Sequence, residues 1–230
     1  MQDTREHRFQ IAGKKVRVFP AEGPDAPVIY ANLFMDYTFP LRHALEKELL
    51  PDYSLVTISN LEWDHDMAPW DIPSIAPGDT PCTAGADDYL RVLLQEIFPK
   101  AESVLPGTPS WRGLAGYSLA GLFATYAPYR TDAFSRIASM SGSLWFPNFL
   151  EFTQTNEMKK NPDHIYFSLG DREAKTRNPY LQPVQKNTEQ IVREYQEKGI
   201  HTVFELKPGN HGLHAERRTA EGIAWILQQD

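Results

Sequence analysis

The chain has one cysteine in 230 residues, no apolar run near the ~18 residues that span a bilayer, and no basic stripe or block of like charge. Each lack excludes something. A lone Cys82 cannot form an intramolecular disulfide, and no Cys/His spacing of zinc type accompanies it, so neither a stapled scaffold nor a structural zinc domain fits. The fold has to rest on its hydrophobic core. The opening MQDTREHRFQ carries charges where a signal peptide needs an apolar stretch, so a cytoplasmic protein with no membrane partner is expected. With 30 Asp and Glu against 23 Lys and Arg, the net charge of −7 speaks against nucleic acid as a partner. There is also no repeat, low-complexity stretch or Gly/Ser linker, which predicts one domain over residues 1–230.

What is present is a 41% hydrophobic chain with 12% aromatics and 18 prolines. His7–Ile11 and Lys15–Phe19 alternate around Gly13, the pattern of an antiparallel hairpin. From Pro27 onward, short apolar runs alternate with helical patterns. The strands predicted are Val28–Leu33, Ser54–Ser59, Trp111–Gly116, Arg136–Met140, His164–Leu169 and Thr202–Leu206. Helices are predicted at Leu41–Leu50, Asp87–Val104, Leu119–Tyr126, Thr188–Lys198 and Arg217–Gln228, the second carrying a stripe of Tyr89, Leu90, Leu93, Leu94 and Ile97. Several strands are too uniformly apolar to keep a face in water. The expected class is therefore α/β, a mostly parallel central sheet with helices on both faces and an N-terminal antiparallel hairpin. Ligand sites of such sheets lie at the carboxyl ends of the strands.

Directly after the third of those strands comes Gly116-Tyr117-Ser118-Leu119-Ala120-Gly121, then a helical stretch. This is a nucleophile-elbow pattern in which Ala120 stands where G-x-S-x-G has its second glycine. Read blandly, it is a small-residue turn packing a helix on a sheet. A serine nucleophile needs a base, and His211 lies in Lys207-Pro208-Gly209-Asn210-His211-Gly212, just beyond the last strand; His201 and His214 are its weaker rivals. The third member should be a carboxylate after the strand between them. Glu173, three residues past Gly170, is the first choice, and Asp171 is the alternative acid. Ser118, Glu173, His211 is the chain order of α/β-hydrolases. The backbone amides of Leu119 and Phe34, with Leu33 next, are the expected oxyanion donors.

Residues 113–124 with their Gly-Tyr-Ser-Leu-Ala-Gly core, the segment Met140-Ser141-Gly142-Ser143-Leu144-Trp145, and Pro208-Gly209-Asn210-His211 resemble the esterase D/enterochelin esterase group of α/β-hydrolases, from about Val28 to the C-terminus. The resemblance implies cofactor-free hydrolysis of a small-molecule carboxylic ester, with Ser118 as nucleophile and His211 as base. An acyltransferase using the same acyl-enzyme, or a non-catalytic ligand-binding protein of this fold, are the alternatives, and homodimer formation is left open. Little chain remains for a separate cap domain. The one long excursion, from Asn60 to about Gly85, follows a strand and should overhang the site, with Trp63 and Trp70 as substrate-binding walls and Trp145 opposite. Asp64-His65-Asp66 is too contiguous to converge on a metal, so no metal is expected. Arg172, Lys175 and Arg177, like Asp36 and Arg42, are weak anion-site candidates, and Cys82 reads as a bystander thiol.

Overall fold

Runs with no polar face can satisfy their backbones only inside a sheet covered on both sides, and there they lie in the computed structural model of the chain, which describes residues 6–230. The first five residues of the charged opening, part of the expected 1–230 domain, lie outside the described residues. The strands are β1 His7–Ile11, β2 Lys14–Phe19, β3 Val28–Asn32, β4 Ser54–Ser59, β5 Arg112–Tyr117, β6 Arg136–Met140, β7 His164–Gly170 and β8 His201–Lys207. They form one sheet in the order β1-β2-β4-β3-β5-β6-β7-β8. β1 and β2 pair antiparallel, as do β2 and β4; all other neighbours are parallel. Ala12 and Gly13, both at positive φ, close the β1–β2 hairpin in two residues.

β3, β4 and β6 are buried along their whole length. One face, with Tyr30, Ile58, Leu114 and Phe167, is covered by α3 (Ala86–Val92), α5 (Leu119–Tyr126) and α7 (Val184–Glu197). The other, with Ile29, Ala31, Ala115 and Tyr166, packs against α1 (Thr38–Leu45) and α8 (Ala215–Leu227).

Helix boundaries differ from the periodicity where proline intervenes. α1 begins three residues earlier than Leu41 because Pro40 sits in its first turn, where no amide needs to be donated, and it ends at Leu45 instead of Leu50. The helix expected over Asp87–Val104 is broken into α3, a π-turn at Leu93–Ile97, and α4 (Phe98–Glu102); Pro99 has no N–H to continue the α ladder. α7 starts at Val184, right after Pro183, rather than at Thr188. Two short helices, α2 (Trp63–Asp66) and α6 (Phe149–Thr155), were not predicted; at four and seven residues they are too short to display a period.

The chain runs from β3 outward to β4 and then returns to place β5 on the other side of β3. The β3/β5 boundary is therefore where the winding reverses and a crevice opens at the carboxyl ends of the strands. Register pairs Asn32 with Gly116, so Phe34 and Ser118 each lie two residues beyond a paired position.

Candidate active site

Between β5 and α5 the chain reverses over a single residue, Ser118, at φ 60° and ψ −124°. This conformation is strained for an L-residue and is held by neighbours on every side. Ser118 N–H donates to the Met140 carbonyl (3.1 Å), while its carbonyl accepts from Gly121, Leu122 and Ser143 at 3.0–3.1 Å. Close approach dictates the small residues around it. A Cβ on Gly116 would lie 2.2 Å from the Ala120 oxygen, and one on Gly121 would lie 2.8 Å from the Gly142 Cα. Ala120 is thus tolerated in the departed position because the bare face of Gly116 makes room for its methyl.

The Ser118 hydroxyl donates to His211 Nε2 at 3.0 Å, and His211 Nδ1–H donates to Glu173 Oε2 at 2.7 Å. A donating Nδ1–H leaves Nε2 as the basic nitrogen. The second oxygen of Glu173, Oε1, accepts from the Gly170 amide (2.6 Å), the Ser141 hydroxyl (2.7 Å) and Arg218 Nη1 (3.1 Å). Its side chain is only 5% exposed. Burial pushes the Glu173 carboxyl up, but the hydrogen bond and charge of His211, with the Ser141 hydroxyl and the Gly170 amide, outweigh burial and hold it below its ordinary value. Asp171 does not touch the imidazole: its Oδ1 accepts from the Gly209 amide at 2.8 Å and ties the acid loop to the histidine loop.

Arg218, 4% exposed in α8, was not singled out from the sequence. Besides Glu173, it donates to the Ser141 hydroxyl (3.1 Å), the Tyr117 oxygen (3.3 Å) and the Pro208 carbonyl (2.9 Å). Tyr117 in turn donates to the His211 carbonyl at 2.5 Å. One buried cation therefore braces the three strand-end loops that carry Ser118, Glu173 and His211. No sequence signal marks it, since an arginine among Glu216, Arg217 and Glu221 reads as a solvated helix face.

The Leu119 amide, first in α5, and the Phe34 amide have no acceptor among the described residues, whereas Leu33 N–H is spent on the Ile58 carbonyl at 2.8 Å. The Phe34 ring is 57% exposed and meets Trp63 edge-on at 5.0 Å.

Two clefts share Ser118, Ser143 and Trp145. The larger, about 350 Å³, lies under residues 63–82 and is lined by Trp63, Asp64, Asp79, Thr80 and Leu119 among others. The smaller, about 170 Å³, contains His211, Glu173, Leu181 and Val184. Trp63 and Trp145 are where a wall was expected, but Trp70 is not. Its indole donates to the Pro147 carbonyl (3.0 Å) and packs on Phe146, Phe149 and Phe152, so it pins the excursion to α6 and lines neither cleft.

Cys82 does reach the larger cleft, where burial, with Asp64 nearby, pushes its thiol up to about 11 and keeps it protonated. Asp64, His65 and Asp66 diverge: Asp64 lines the larger cleft, His65 bonds Thr83, and Asp66 forms a buried ion pair with Lys14. Arg172, Lys175 and Arg177 are exposed and line neither cleft. Asp36 pairs with Arg17 at 2.8 Å, and Arg42 covers the Phe19 ring. His201 contacts His164 at the opposite end of the sheet, and His214 precedes α8 in a left-handed conformation, its side chain making no capping hydrogen bond. Among the described residues, no helix is long and apolar enough to cross a membrane.

Comparison with known proteins agrees with this architecture. The family described as "Putative esterase" matches residues 33–217. The uncharacterized protein YbbA of Bacillus subtilis (strain 168) is 26% identical over 181 residues, which is 76% of this chain and 72% of that protein. Among solved structures, the siderophore hydrolase EstA from Aspergillus nidulans superposes with a TM-score of 0.77 at 19% identity, covering 96% of this chain and 93% of that one. An IroE-like serine hydrolase from Shewanella oneidensis does so with 0.79 at 18% identity, covering 97% and 79%. At such identities these are likenesses of fold, and the fold is that of the α/β-hydrolases.

Proposed function

The chain belongs to the putative esterase family, and from that premise we propose that it is a serine hydrolase that cleaves small carboxylic esters through an acyl-enzyme. The observation that carries this reading is the continuous hydrogen-bonded chain from Ser118 through His211 to Glu173, formed by residues from three separate strand ends. In this reading Ser118 is the nucleophile, His211 the general base and then acid, and Glu173 the group that orients the imidazole and stabilises its charged form. The Leu119 and Phe34 amides receive the oxyanion, and the dipole of α5 adds to the stabilisation. Fold neighbours named as siderophore hydrolases and as a ferulic acid esterase are consistent with ester chemistry on this scaffold.

The test is direct. Ser118→Ala is expected to abolish turnover of short acyl esters and labelling by a fluorophosphonate, while circular dichroism stays that of the wild type. Undiminished turnover by that variant would refute the assignment.

A further inference from the structure

Of the two clefts that meet at Ser118, only the smaller contains His211. In acylation, Ser118 Oγ bonds to the carbonyl carbon as its proton passes to His211 Nε2. The carbon–oxygen bond to the alcohol then breaks, and the same proton moves from Nε2 to the departing oxygen. That oxygen must come within hydrogen-bond reach of Nε2, about 2.6–3.2 Å, so the alcohol has to lie in the cleft that holds the histidine. With the carbonyl oxygen directed at the amide of Leu119, the remaining substituent on the carbon is left the larger cleft, on whose wall Leu119 stands.

Resting on the serine-hydrolase reading above, we propose that the small cleft beside Leu181 and Val184 takes the alcohol and the larger cleft under residues 63–82 takes the acyl group. The substrate class is then an ester of a small, apolar alcohol with a bulky aromatic or polar acyl group that carries no negative charge. Size supports this division, since about 350 Å³ falls within the range of sites for drug-sized groups and about 170 Å³ falls below it. The linings support it too. The small cleft offers Leu181, Val184 and the Trp145 indole. The larger offers two indoles, Trp63 and Trp145, the Thr80 hydroxyl and the carboxylates of Asp64 and Asp79, with no Lys, Arg or His among its lining residues. An anionic acyl group would meet like charge there.

Deacylation separates the two clefts, because by then the alcohol has left. A water gives its proton to His211 as its oxygen bonds to the acyl carbon; the bond from that carbon to Ser118 Oγ breaks, and Oγ recovers the proton. Rapid-quench kinetics on methyl and benzyl 3-phenylpropanoate would report both steps. Leu181→Trp is expected to slow acylation by the benzyl ester about tenfold or more, and to leave deacylation of the shared acyl-enzyme within about twofold. Thr80→Trp is expected to slow both steps. The double variant Asp64→Asn/Asp79→Asn should raise acylation by monomethyl succinate about tenfold relative to methyl 3-phenylpropanoate. Should Leu181→Trp fail to fold, Leu181→Ala widens the small cleft and is expected to favour the benzyl over the methyl ester.

The division of clefts is overturned if the Leu181 variants alter deacylation while Thr80→Trp alters acylation alone, or if the Asp double variant leaves the succinate ratio unchanged. Fluorophosphonate labelling of the wild type separates the two levels. Labelling with the wrong kinetic pattern overturns only the division of clefts, whereas no labelling overturns the proposed function and this proposal together.

Discussion

Glu173 is where burial, charge and hydrogen bonding are most tightly coupled. Its carboxylate is buried yet held below its ordinary pKa, with His211 on one oxygen and Arg218, Ser141 and the Gly170 amide on the other. Glu173→Gln keeps the shape and removes the charge, leaving the Arg218 cation buried without its counter-ion. A loss of about 3 kcal/mol in stability near neutral pH is expected, because breaking a buried pair from one side exposes the desolvation cost of the other. In kcat a fall of up to about 10⁴-fold is expected, the scale on which an amide in this position disables a triad. The sign of the pH dependence follows from the direction of the shift. With the folded value below the unfolded one, the stabilisation is complete above the unfolded pKa and is lost as pH falls through the folded one. Urea unfolding should therefore give a difference between wild type and Glu173→Gln that is constant around neutrality and shrinks progressively under acid. A difference that grows toward low pH would contradict this account.

At the scale of the element, the excursion between β4 and α3 is held by an anchor and forms one wall of the larger cleft, and two tryptophans divide these tasks. Trp70 packs among three phenylalanines and donates to a backbone carbonyl; Trp63 stands against the cleft with Phe34. Trp70→Ala should cost about 2–3 kcal/mol, less than a fully buried tryptophan would because Trp70 keeps some exposure. Trp63→Ala should cost well under half of that and instead raise KM. Thermal melts and Michaelis kinetics on the same two variants check both statements. The excursion also shows why sequence reasoning grouped the two residues: both follow a strand end and both are indoles. Which one faces the cleft depends on α6, a seven-residue helix that leaves no periodic trace and that supplies Phe149 and Phe152.

Across the whole molecule, stability should be graded from the middle of the sheet outward. β3, β4 and β6 are buried end to end and β5 at every residue but its first, with β3, β5 and β6 innermost in the parallel part of the sheet, while β1 alternates between half-buried and exposed and β8 is open along much of its length. Native-state hydrogen exchange should find the amides of β3, β5 and β6 opening only with global unfolding and those of β1 and β8 opening at lower cost. Slowest exchange in β1 or β8 would contradict that gradient. Since Ser118 follows β5, the proposed nucleophile hangs on the part of the sheet expected to be most protected. His211 follows the more exposed edge strand β8, and Arg218, Tyr117 and Asp171 tie its loop in place.

Local pattern determined a great deal of this protein. Alternation and uniformly apolar runs placed all eight strands to within a residue or so, because a buried strand must be apolar whatever its neighbours are. The small residues around Ser118 declared a tight turn, because only they fit beside its strained backbone. The chain positions of Ser118, Glu173 and His211 followed from where strands end. What tertiary structure alone decided is which of these groups meet: that Glu173 and not Asp171 reaches the imidazole, that Arg218 is buried at their centre, that Trp70 turns inward, and that two clefts meet at Ser118. Each depends on contacts between residues tens of positions apart, and no local periodicity encodes those contacts, because they are fixed by how the helices and loops pack across the sheet.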